Sequence, residues 1–96
     1  NLVLDGKFVA TISDFNEIYK FLQTPRNYRK ELKKIEFNFN YNFDQEIINF
    51  SDIKINDQTD QKVSKILNQF ISKKNKVENR VHFKNLMNEA IRAYAG

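Results

Sequence analysis

The sequence predicts an α+β domain: a small, mostly antiparallel sheet of about four strands in two hairpins, packed by three to four helices. Three observations carry this reading. From Phe37 to Phe43 aromatic and amide side chains alternate without a break. That is the strand repeat, so Phe37, Phe39, Tyr41 and Phe43 project to one side of a sheet and Asn38, Asn40 and Asn42 to the other. Two later stretches repeat at helical spacing: Val63, Ile66, Leu67, Phe70 and Ile71, then Phe83, Leu86, Met87, Ala90, Ile91 and Tyr94. Finally, 96 residues give length for one core, so residues 1–96 are expected to form one domain.

Taken in order, Leu2 to Leu4, Asp5-Gly6 and Lys7 to Ser13 read as a hairpin, with Asp-Gly supplying the positive φ angles of a type I′ turn. Asp14 and Glu17 form a capping-box pattern ahead of Phe15, Ile18, Tyr19 and Leu22, which predicts a short amphipathic helix to about Gln23. Thr24-Pro25 is a second start signal and predicts another helix to about Ile35, set at an angle to the first. The aromatic strand follows, and Asp44-Gln45 separates it from a strand over Glu46 to Ile55. In that strand the apolar parity changes between Ile48 and Phe50 on one side and Ile53 and Ile55 on the other. The change predicts a β-bulge or bend at Ser51-Asp52. Thr59 or Asp57 is expected to cap the next helix, and Lys73-Lys74-Asn75-Lys76 to close it with cations near the negative end of its dipole. Val77 to Phe83 reads either as the start of the last helix or as a short strand.

Composition narrows the function classes. Charged residues make up 29% and hydrophobic ones 41%, the balance of a folded domain rather than a disordered one. Cysteine is absent, which excludes disulfides and thiolate metal sites and mildly favours a cytoplasmic location. No apolar run approaches the roughly 20 residues needed to cross a bilayer, so no membrane partner is expected. Heavy use of Asn, Ile, Lys and Phe resembles the composition of proteins from AT-rich genomes, phage and mobile elements among them.

The clearest surface signal is charge. On the predicted second helix Arg26, Arg29, Lys30, Lys33 and Lys34 fall at i, i+3, i+4, i+7 and i+8, opposite Tyr28, Leu32 and Ile35. A second group, Lys73, Lys74, Lys76, Arg80 and Lys84, lies across the later helix junction. With a net charge of +4 and a pI near 9.4, these ten cations are the expected nucleic-acid contacts, the alternative partner being an acidic protein. The aromatic strand is read as core rather than as a base-stacking platform, and its three asparagines as a wet polar face, either an amide surface for a partner or a nucleic acid, or a mark of genome composition. Catalysis is not expected. His82 is the only histidine and, with Glu78 beside it, falls short of common zinc ligation. Asp57 and Asp60 lie where a helix must start and read as caps. Gly6 and Gly96, the only glycines, make no phosphate-cradling loop. No catalytic residue, metal or cofactor is therefore assigned.

Overall fold

The computed structural model describes residues 5–29, 32–73 and 75–96. Its antiparallel sheet follows chain order: β1 (Asp5–Ile12), β2 (Ile35–Asn42), β3 (Ile47–Ile55) and the two-residue β4 (Gln58–Thr59). The helices α1 (Phe15–Leu22), α2 (Gln61–Leu67) and α3 (Lys76–Ala95), with a single 3₁₀ turn at Arg26–Tyr28, complete an α+β architecture.

The alternation in β2 sets the layers. Ile35 and Phe37 point to one face, opposite Ile55 and Ile53 of β3. All four are buried, together with Val63 and Leu67 of α2 and Leu86, Met87, Ala90 and Ile91 of α3. Phe15, Tyr19 and Leu22 of α1 join the same core. Asn38, Asn40 and Asn42 face the other side. The bulge falls where the parity change places it: the β2–β3 register shifts between Phe37 and Phe39, so that Ser51 and Asp52 together oppose Asn38. Asn38 Nδ2 donates to the Asp52 carbonyl (3.1 Å), and the Ser51 hydroxyl donates to the Asn38 carbonyl (3.1 Å).

Several local expectations yield to longer-range pairing. Asp5-Gly6 is no turn: both residues lie inside β1, opposite Asn42 and Tyr41, and Gly6 has no positive φ. Pairing along the whole of β2 replaces a local two-residue loop, and the missing Cβ of Gly6 leaves room for the Phe8 ring, which a Cβ would approach to 2.8 Å. Leu2 to Leu4, the other half of that predicted hairpin, lie outside the described residues. The hairpins are instead β2–β3 and β3–β4. The second turns at Asn56-Asp57 with φ of 51° and 68°, the left-handed pair of a type I′ turn.

Capping also shifts. Asp14 occupies the N-cap of α1 without a side-chain bond. The cap of α2 is Asp60, whose Oδ1 accepts from Val63 N–H (2.9 Å), because Asp57 and Thr59 are taken by the turn and by β4. Helix α2 ends at Leu67, which leaves Ile71 70% exposed. Lys73 and Lys76 therefore do not close α2. Asn75 caps α3 by accepting from Val77 and Glu78 N–H, and Val77 to Phe83 is helical. Lys76 thus opens a helix at the positive end of its dipole.

Candidate nucleic-acid interface

The second helix predicted over Pro25 to Ile35 does not form. Pro25 is extended, with φ −60° and ψ 145°, and the 3₁₀ turn stops at Tyr28. Thr24 is buried and its hydroxyl has no partner among the described residues, so it caps nothing. Further on, Asn56 Oδ1 accepts the backbone N–H of Lys33 (2.8 Å) and Lys34 (3.1 Å), taking donors that a helix would have used. Ile35 is claimed by β2, between Ile12 and Ile55. A helical spacing of cations therefore does not become a helix, and the four described ones, Arg26, Arg29, Lys33 and Lys34, do not share a helix face.

Each described cation of that group meets a different fate. Arg26 is exposed on the 3₁₀ turn. Arg29 donates its Nε–H to the Thr24 carbonyl (2.8 Å) and folds back on the loop. Lys34 pairs with Asp57. Their side-chain hydrogen bond, then the charge on each partner, raises the lysine pKa and lowers that of the aspartate. Lys33 stays exposed. Lys30 lies outside the described residues.

The later group holds together better. The Lys73 N–H donates to Asn79 Oδ1 (2.7 Å) and Asn79 Nδ2 returns a bond to the Lys73 carbonyl (2.6 Å), fastening Lys73 to the first turn of α3. Lys76, Arg80 and Lys84 then follow at intervals of four residues on α3, winding about 40° per step over about 12 Å. Lys74 lies outside the described residues. Lys84 Nζ sits 5.3 Å from the centre of the Phe21 ring on α1, and Arg92 Cζ lies 5.4 Å from that of Tyr28 in the 3₁₀ turn. Such seats hold the stem while leaving the charge uncompensated.

Ion pairing sets Lys34 apart from the other described cations of both groups. Among the described residues, salt bridges join Lys20 to Glu17, Lys34 to Asp57 and Lys54 to Glu36. None involves Lys73, Lys76, Arg80, Lys84 or Arg92. Glu78 and Glu89 lie on α3 as well, both exposed. Sequence reading missed Arg92, which stands apart from both cation runs; its only signal was its i+8 spacing from Lys84.

Among the described residues no helix covers the opposite face of the sheet. There Lys7, Asn40 and Asn49 stand in one cross-strand row and line a shallow hollow of about 510 Å³. The Asn40 and Asn49 amides have no hydrogen-bond partner among the described residues. His82 stacks on Phe70 at 5.3 Å and 19°, a packing role, and no cluster of three or more potential metal ligands occurs among the described residues. No helix there is long and apolar enough to cross a membrane. No protein-family model, curated protein or solved structure matches the chain.

Proposed function

We propose that the protein is a non-enzymatic nucleic-acid-binding domain whose contact surface is the cation line Lys73, Lys76, Arg80 and Lys84, extended by Arg92 and Arg26. The observation that supports it is the lack of compensation: these side chains make no ion pair among the described residues, although the chain has acids to spare and pairs Lys20, Lys34 and Lys54 with them. Lys84 and Arg92 are further held over aromatic rings, which orders the charge without neutralising it. A row of unpaired cations attracts a polyanion, and release of the polymer's counterions drives binding. Lys34, neutralised by Asp57, contributes little to this reading.

A fluorescence titration with a generic oligonucleotide tests it. With four to six contacts, log affinity should fall linearly with log salt at a slope of roughly −3 to −5, and Lys76→Gln, Arg80→Gln and Lys84→Gln combined should flatten that slope by about two to three. Gln keeps a good helix former at each position, so α3 should survive. A wild-type protein with no binding at low salt overturns the proposal, as does a slope unchanged in the triple variant.

A further inference from the structure

The two edges of the sheet are built differently. β4 ends one side with two polar residues, and so short an edge offers little to pair with. β1 ends the other side with eight residues in continuous register against β2, from Asp5 opposite Asn42 to Ile12 opposite Ile35. It carries no bulge and no proline. Between Gly6 and Ile12 only Lys7 is charged, and none of these residues is buried; Val9 is 62% and Phe8 38% exposed. Among the described residues nothing pairs with its outer edge. The usual protections of an edge strand are thus missing over most of its length.

We infer that β1 pairs antiparallel with β1 of a second copy, so that two molecules form one eight-stranded sheet about a two-fold axis through Val9. A two-fold normal to the sheet keeps each face continuous, so residue numbers opposite one another must share parity. Centring on Val9 satisfies this over the whole span from Gly6 to Ile12. Val9 then meets Val9, Phe8 meets Ala10, Lys7 meets Thr11, and Gly6 meets Ile12. On the helix-bearing face each large side chain lies opposite a small one, and the second copy's Ile12 comes over Gly6 beside the Phe8 ring that already covers it. On the other face no like charges are opposed. The strand is complementary to itself in size and sets no like charges against one another, and that self-complementarity selects a second copy as the occupant. The dimer does not depend on the cation line of α3.

Sedimentation velocity over a concentration series from about 1 µM to about 1 mM tests the pairing. The wild-type chain should pass from monomer to dimer within it. Val9→Lys opposes two ammonium groups on the axis and should raise the dimer Kd by about tenfold or more, whereas Val9→Thr should leave it within about twofold. Thr11→Lys tests the register: within one chain it sits opposite Glu36 and supports the monomer, but in the dimer it opposes the second copy's Lys7. It should likewise weaken the dimer about tenfold while far-UV circular dichroism stays native. A wild-type monomer throughout overturns the inference and leaves the edge to an extended segment of another protein. A dimer insensitive to Val9→Lys and Thr11→Lys overturns it too, since the contact would then lie elsewhere.

Discussion

Phe37 and Phe43 belong to the same alternating run and the same parity, yet Phe37 is 4% exposed and Phe43 49%. The two ends of the β2–β3 hairpin explain the difference. At the Phe37 end, α2 and α3 lie over the sheet, and the Phe37 ring meets Phe50 (6.0 Å) and Phe83 (6.3 Å). The Asn56-Asp57 turn there is held by two bonds into Asn56 Oδ1 and by the Lys34–Asp57 pair. Toward the other end the helix layer runs out: Phe39 and Tyr41 are half-buried, and Phe43 lies past the strand against Tyr41 (4.6 Å) and Phe8 (5.8 Å). The turn at that end is tied, among the described residues, by one side-chain bond, from Gln45 N–H to Asn42 Oδ1. Alternation specifies which face a side chain takes; how far cover extends over that face depends on the length and placement of helices elsewhere in the chain.

The largest expected effect follows from this contrast. Phe37→Ala should destabilise the fold by about 3 to 5 kcal/mol, through lost burial and the cavity left between β2, β3 and α3. Phe43→Ala should cost less than about 1 kcal/mol, because the ring already meets water. Urea melts of the two variants measure both. Equal losses would mean that the exposed end is covered in solution.

What was legible in the sequence was local. β2, the bulge at Ser51-Asp52 and the apolar stripe of α3 are carried by spacing within a few residues, and the fold agrees with each. The second helix failed because its competitors are distant in sequence: Asn56 takes the Lys33 and Lys34 N–H groups from 23 and 22 residues away, and Ile35 pairs with Ile12 and Ile55. The cation pattern of Arg26 to Lys34 failed with it, since helical spacing places charges on one face only where there is a helix. Lys76, Arg80 and Lys84 keep their pattern because α3 forms. The depth of the aromatic run was also unreadable: Phe39 and Tyr41 look as central as Phe37, and only the position of α2 and α3 grades them.

A middle-sized effect is expected where α2 meets the bulge. Ser64 is buried; its Oγ accepts the Ile53 N–H (2.9 Å) and donates to the Ile53 carbonyl (3.3 Å). The carbonyl keeps a second donor in Asp60 N–H (3.0 Å), whereas the N–H beside the bulge relies on the serine. Ser64→Ala should therefore cost about 1 to 3 kcal/mol, the penalty of a buried donor left unpaired. Ser51→Ala, which removes an exposed hydroxyl from the same bulge, should cost less than about 1 kcal/mol. Denaturant melts give the energies, and amide exchange at Ile53 reports the lost partner. Similar costs for the two serines would show that cover by α2 does not distinguish the two sides of the bulge.

The smallest effect belongs to the Lys34–Asp57 pair, which pins the covered end from outside. Its hydrogen bond lowers the Asp57 pKa and raises that of Lys34. The sign follows for each partner. A depressed carboxylate stabilises the fold above its unfolded pKa, and that contribution is lost as pH falls through the folded value. A raised lysine stabilises it below its unfolded pKa and loses that contribution as pH rises through the folded value. The pair is thus fully formed across the neutral range and fails only once pH falls below the ordinary aspartate range or rises above the ordinary lysine range. Both groups are open to solvent, so salt should screen the effect. Asp57→Asn isolates the charge, because Asn also tolerates the left-handed conformation that this turn position requires. The wild-type chain should be slightly more stable than the variant at pH 7 in low salt. The two should converge at acid pH as Asp57 takes up its proton, and also at neutral pH in 1 M salt. A difference that persists under both conditions would assign the role of Asp57 to turn geometry, and the covered end would then owe its order to Asn56 and to helix packing alone.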